Sequence, residues 1–341
     1  MEMDWRQRRT VTILTAVLLV LLAAILVVLG IRYRENRQET PEDPDVLAAA
    51  SITSGEYSSL TYSNGSTTLS FIVDEGGSWV WDNDPKFPLK QDTVNAILGL
   101  LMNWRPQQTL AAEEDLSAYG LDEPTGFLTL SGESGALRTL SFGKVTTDGG
   151  SRYVMEQSDP STVYIVADTL FAYMSVPIYD MMELPVLPVL EESAIRSILL
   201  RGPEGEDGTP ALVTVFTTAK RSGDDGPVTW LQGSENITSN ETVRALLEDL
   251  RTLSLTKCVD YDPSDEAASI CGFDAPPVAL TVNYASPTGT EESLTLTVGN
   301  TVLDGSGRYV RLDGSSTIYS LPTAALDPLM RVAVNGLDMT E

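Results

Sequence analysis

"FGKVTTDGGSRYV" at residues 142–154 returns without a gap as "VGNTVLDGSGRYV" at 298–310. Gly143 matches Gly299, Asp148 matches Asp304, Gly149 matches Gly305, and Arg152-Tyr153-Val154 matches Arg308-Tyr309-Val310. A match at fixed offset signals internal duplication and changes how every other segment is read. The correspondence extends outward in order: "STVY" (161–164) answers "STIY" (316–319), and "AYGLDEP" (118–124) answers "ICGFDAP" (270–276). Further upstream "QDTVNAILGLL" (91–101) answers "NETVRALLEDL" (240–250), and Trp81 answers Trp230. The spacing predicts a first copy at 56–180, a second at 194–341, and between them a join at 181–193 that carries Pro185 and Pro188.

Local patterns give each copy its elements. "LTYS", "TTLSFIVD" and "SWVWD" alternate apolar with polar residues, as half-buried strands do. The period then changes. Val94, Ile97, Leu98 and Leu101 fall at helical spacing behind Asp92 as the expected cap, and Val243, Leu246, Leu247 and Leu250 do so behind Asn240. Short strands joined by Asp/Gly turns follow, the pattern of an antiparallel meander. The predicted fold class is α+β: two tandem repeats of an antiparallel-sheet unit, each with one main amphipathic helix, behind an N-terminal transmembrane helix. In the Tyr/Cys-Gly phrase, Gly120 and Gly272 supply a backbone position free to take positive φ. Asp122 and Asp274 are expected to accept turn N–H groups, and Pro124 and Pro276 to stop a helix and launch a strand.

Composition excludes more chemistry than it suggests. The chain has 341 residues, 22 basic against 48 acidic, for a net charge of −26. Nucleic-acid phosphates would be repelled by such a surface. Histidine is absent, which removes Ser-His and Cys-His nucleophile pairs and His-ligated zinc. Residues 11–31, "VTILTAVLLVLLAAILVVLGI", contain no charge, and as a helix would be long enough to cross a hydrocarbon core of about 30 Å. The expected layout is therefore a cytoplasmic tail at 1–10, a single transmembrane helix at 11–31 and a stalk at 32–55. The acidic body would then lie outside the cytoplasm. Arginine counts do not fix this orientation, because Arg6, Arg8 and Arg9 precede the run and Arg32, Arg34 and Arg37 follow it.

Candidate chemistry is sparse. Cys258 and Cys271 are the only cysteines; a disulfide and two reduced thiols are both open readings. "VDYDPSDE" (259–266) clusters oxygen ligands of the kind calcium prefers but lacks the glycine and distant glutamate of an EF-hand loop. Asp148 and Asp304 could be paired acids, yet Asp-Gly between strands is a common hairpin turn. Arg152 and Arg308, beside Tyr153 and Tyr309, are expected to make structural ion pairs or to cover a sheet edge. No cofactor, metal or catalytic residue is assigned.

The Tyr119–Pro124 phrase, Gly143, Arg152-Tyr153-Val154 and the "VYIV" strand at 163–166, together with the apolar N-terminal run, make the chain resemble bacterial proteins carrying the domain-of-unknown-function family 4340. Copy two departs from that pattern by placing Cys271 and Phe273 where copy one has Tyr119 and Leu121. The resemblance implies a membrane-anchored accessory, of a kind often encoded beside gliding-motility-type ABC transporter components, and carries over no catalytic residue. The functional expectation is an extracytoplasmic scaffold or binding protein, not an enzyme, that contacts an envelope or transporter partner. Two alternatives are a histidine-free hydrolase using carboxylates on envelope glycans or peptides, and a calcium-dependent surface adhesin.

Overall fold

The computed structural model describes residues 57–203, 212–219 and 227–337. Eight strands form the first sheet: β1 (Ser59–Ser63), β2 (Thr68–Val73), β3 (Trp79–Trp81), β4 (Gln108–Ala111), β5 (Gly126–Gly132), β6 (Gly135–Val145), β7 (Ser151–Glu156) and β8 (Asp159–Ala167). Their order across the sheet is β3-β2-β1-β5-β6-β7-β8-β4. Nine strands form the second: β9 (Ile195–Arg201), β10 (Val213–Thr218), β11 (Trp230–Gln232), β12 (Glu235–Asn236), β13 (Lys257–Asp260), β14 (Val278–Ala285), β15 (Glu291–Thr301), β16 (Gly307–Leu312) and β17 (Ile318–Pro322). Their order is β12-β11-β10-β9-β14-β15-β16-β17-β13. Apart from the extra edge strand β12, the two orders are the same path drawn twice. In both, the strand after the main helix crosses to the far edge, so sequence neighbours are separated and the hairpin meander fills the middle.

Strand composition accounts for the layering. In β14, Val278, Leu280, Val282 and Tyr284 are buried while the intervening residues face outward. A period of two does this wherever one sheet face is covered and the other is wet. The outer faces carry hydroxyl pairs at equivalent places: Thr129 with Thr139 at 3.5 Å, and Thr281 with Thr295 at 3.2 Å.

Helices cover the apolar faces. Along α1 (Gln91–Met102), Val94, Ile97, Leu98 and Leu101 are buried; along α3 (Glu241–Thr252) the buried set is Thr242, Val243, Leu246 and Leu250. Asn240 caps α3 by accepting the N–H of Val243 at 3.2 Å. Asp92 does not cap α1, since that helix begins at Gln91 and Asp92 lies inside its first turn. Gln91 explains the early start, because its side chain ties the helix to β3 by accepting the N–H of Trp79 and donating to its C=O.

The expected fold needs correction. Its two copies were to carry one main helix each behind a membrane-crossing helix. Instead, the second sheet is packed by α3 and by α5 (Thr323–Asn335), which buries Leu326, Leu329, Val332 and Ala333. At the place of α5, the first copy has only the short α2 (Thr169–Met174). No helix among the described residues is long and apolar enough to cross a membrane. The expected span at 11–31, with the tail 1–10 and stalk 32–55, lies outside the described residues.

The tryptophan correspondence also shifts. Register places Trp79 opposite Val73 and Trp230 opposite Thr218, equivalent positions in the two sheets, so Trp230 answers Trp79 rather than Trp81. Residues two apart on a strand share a face, so one isolated tryptophan does not fix the alignment to better than two residues.

Candidate functional site

The duplicated stretch folds as a bulged hairpin in both copies. The ladder slips between Phe142 and Val145 and again between Val298 and Thr301, which places Gly143 and Gly299 in the bulges. A methyl group at Gly143 would overlap the carbonyl oxygen of Tyr119, and one at Gly299 that of Cys271. The bulge therefore presses on the Tyr/Cys-Gly phrase, and the two signatures form one structural unit. Gly120 and Gly272 take φ of 65° and 86°, a region in which a side chain is strained.

Arginine closes this unit identically twice. Arg152 donates from Nη1 to the Gly143 carbonyl at 2.7 Å, and Arg308 to the Gly299 carbonyl at 2.7 Å. Beyond this the copies diverge. Arg152 pairs with Asp168 at 2.6 Å and lies over the Phe171 ring. Thr323 stands where Asp168 stands, with its N–H donating to Ser306 as that of Asp168 donates to Gly150, so no ion pair forms for Arg308 among the described residues. Tyr153 packs on Tyr119 with ring centroids 5.2 Å apart, while Tyr309 packs in a small cluster with Cys271, Phe273 and Ile318.

Asp148 accepts the Thr146 hydroxyl, and Asp304 the hydroxyl and then the N–H of Ser306, which hold both carboxyls below their ordinary pKa as turn acceptors. Asp122, Asp274 and Pro124 are exposed and Pro276 is half-buried; neither aspartate accepts the expected turn bond, the turns being closed by backbone bonds instead, Leu121 to Leu116 and Phe273 to Ala268. Of the residues singled out from the sequence, Gly120, Gly143 and Arg152 thus meet in the first copy, and Gly272, Gly299 and Arg308 in the second.

Cys258 and Cys271 are separate buried thiols. Burial, then Asp260 and Asp180, pushes the Cys258 thiol up to about 12; burial also raises Cys271. Among the described residues no three acidic or cysteine side chains converge as metal ligands would. Asp260 instead accepts the Tyr179 hydroxyl at 3.4 Å, and Ser264 caps the short α4 (Asp265–Ile270).

Two features are absent from the sequence reading, one where the copies meet and one between the join and the second copy. The first is an aromatic joint. Phe87, 3 % exposed, packs edge-on against Tyr261 at 5.0 Å and Trp81 at 5.5 Å, and stacks on Tyr179 at 6.4 Å. Lys257 pairs with Asp180 at 3.3 Å beside it, at the mouth of a cavity of about 280 Å³ lined by Met182, Leu184 and Cys258. One continuous core runs through this joint from sheet to sheet.

The second feature is a groove of about 640 Å³ between the join and α3. One wall holds Glu191 and Glu192, the latter fixed by the Trp230 indole N–H at 2.9 Å. Arg244, Leu247, Glu248 and Arg251 form the other, spaced three, four and seven residues along one helix face. Leu247, expected in the core, faces this groove because it sits at the margin of the buried stripe. Arg251 is held by Glu248 at 2.6 Å, whereas Arg244 has no ion pair among the described residues.

The family model described as Domain of unknown function (DUF4340) matches residues 79–214 and 230–333. The chain belongs to that family. Comparison with curated proteins and with solved structures found no match. Both DUF4340 regions begin at the third strand of a sheet, at Trp79 and Trp230, and the first runs on through β9 into the start of β10.

Proposed function

We propose that this DUF4340 chain is a non-catalytic scaffold or binding protein, held at the cell membrane with its body outside the cytoplasm. It would serve as an accessory of an envelope or ABC-transporter complex. One observation carries the reading: two equivalent sheets share a continuous core and an aromatic joint, and a charged groove opens on the second copy between the join and α3. A body of that kind offers fixed spacing and a polar contact surface. Arg244, Arg251 and the opposing Glu191 and Glu192 suit a partner segment of alternating charge, with Leu247 as an apolar contact.

The hydrolase alternative asks for two acids converging in a cavity, one of them with a raised pKa. Asp249, whose carboxyl is pushed up by burial and then by Glu248 and Asp327, lines neither of the two cavities described above. The test is a photocrosslinker at Leu247 in cells, followed by mass spectrometry. Adducts to a transporter permease, lost with Arg244→Glu/Arg251→Glu, support the proposal. Recovery of uncrosslinked protein alone, or adducts indifferent to the charge reversal, sinks it.

A further inference from the structure

Each sheet ends in two edges, and a free edge offers a row of unpaired backbone groups to any passing strand. Three of the four edges are blocked. At β3 the Gln91 side chain bonds both the N–H and the C=O of Trp79, and Trp81 bridges to Asp84. Strand β12 is two residues long and carries Glu235. Strand β13 is covered by the turn at 178–181, through Lys257 with Asp180 and Tyr179 with Asp260.

The equivalent of β13 in the first sheet is β4, because Thr109 lies opposite Tyr164 as Cys258 lies opposite Tyr319. It is left bare. Gln108, Thr109 and Ala111 are exposed, and the strand Gln108–Ala111 contains no charge and no proline. Ala112 donates to Ser161 at 2.8 Å, so alternation along the ladder turns the N–H and C=O of Thr109 and Ala111 away from β8, toward solvent.

Charge decides the occupant. Exposed Arg105 precedes the strand, exposed Glu113 and Glu114 follow it, and none of the three makes an ion pair among the described residues. A second β4 laid antiparallel places each Arg105 against the Glu113–Glu114 pair of the other copy. Self-contact elsewhere meets the repulsion of two chains of net charge −26, whereas here each arginine meets acids of the other copy. We propose that β4 is a self-pairing edge: two copies of this chain associate about a two-fold axis through β4, which joins their first sheets into one continuous sheet.

Sedimentation of the full chain in mild detergent, up to about 100 µM as a weak, small interface requires, tests this. Dimer is expected for the wild type. Arg105→Glu should raise the dissociation constant about tenfold, since two symmetry-related charge pairs are lost. Arg105→Glu/Glu113→Lys/Glu114→Lys, which reverses both ends, should restore it. Thr109→Pro removes an outward N–H, leaves the β8 pairing intact, and should give monomer with unchanged circular dichroism. A monomeric wild type across the range, or a dimer indifferent to Arg105→Glu, overturns the proposal; should Thr109→Pro misfold, the charge reversal and its rescue still decide.

Discussion

Replacing Arg138 by leucine removes one half of a buried ion pair that the second copy has already exchanged for hydrocarbon. Arg138 Nε and Glu156 Oε1 lie 3.1 Å apart with side chains 2 % and 10 % exposed, and Arg138 also donates to the Leu101 carbonyl at the end of α1 at 2.9 Å. Register identifies the counterparts: Leu140 faces Glu156 as Leu296 faces Leu312, and Leu130 faces Arg138 as Val282 faces Leu294. At equivalent positions the second copy thus holds Leu294 and Leu312.

Breaking a buried pair strands the other charge and costs about 3–5 kcal/mol, whereas replacing both by apolar residues of similar size is near neutral. Arg138→Leu should accordingly lower the melting temperature by about 10 °C, at about 2–4 °C per kcal/mol for a body of this size. Arg138→Leu/Glu156→Leu should recover most of that loss, with a residual of about 1 kcal/mol for the uncapped Leu101 carbonyl. Urea unfolding followed by tryptophan fluorescence reads both. A single variant within 1 kcal/mol of wild type as an order-of-magnitude bound, or a double variant as unstable as the sum of the singles, refutes the reasoning.

Three further outcomes follow from packing and titration. Gly143→Ala, which drives a methyl into the Tyr119 carbonyl, should destabilise by about 2–4 kcal/mol in urea unfolding, whereas Gly149→Ala, at φ 79° with open space around it, should lose only about 1 kcal/mol. Phe87→Ala empties the joint between the sheets and should cost about 3–5 kcal/mol, with faster hydrogen exchange at Tyr179 and Tyr261 before the rest of the body. The Cys258 thiol, ordinarily near 9.0, stays protonated up to about 12 in the folded chain. Between those values the unfolded chain alone has lost the proton, so stability is intact below pH 9 and falls as pH rises toward 12; Cys258→Ser should flatten that slope in alkaline melts.

The duplicated hairpin was legible because its causes are local. The bulge glycine, the Asp-Gly turn and the returning arginine lie within 13 residues and fulfil their roles inside one element. The buried face of α1 was legible for the same reason, as a period of 3.6 residues needs no knowledge of the partner. What escaped depends on distance. Tyr261 meets Lys86 across 175 residues of sequence, and no pattern around Phe87, Tyr179 or Tyr261 announces that they converge. Arg244 and Arg251 look like any solvated helix face until Glu191 and Glu192 are set opposite them. Helix α5 was missed because Pro328 lies inside it and its counterpart α2 is only half as long, so the repeat offered no template. The bare edge at β4 is visible only by contrast with the covered edge at β13.

The proposed role stands most directly on where the body resides. Leu303, at the tip of the β15–β16 hairpin, is fully exposed, while the two native cysteines are buried, so Leu303→Cys creates one accessible thiol. Treated with a membrane-impermeant maleimide, intact cells should label this variant as completely as lysed cells do. Labelling that appears only after lysis would contradict a body outside the cytoplasm, and with it the account of an envelope scaffold.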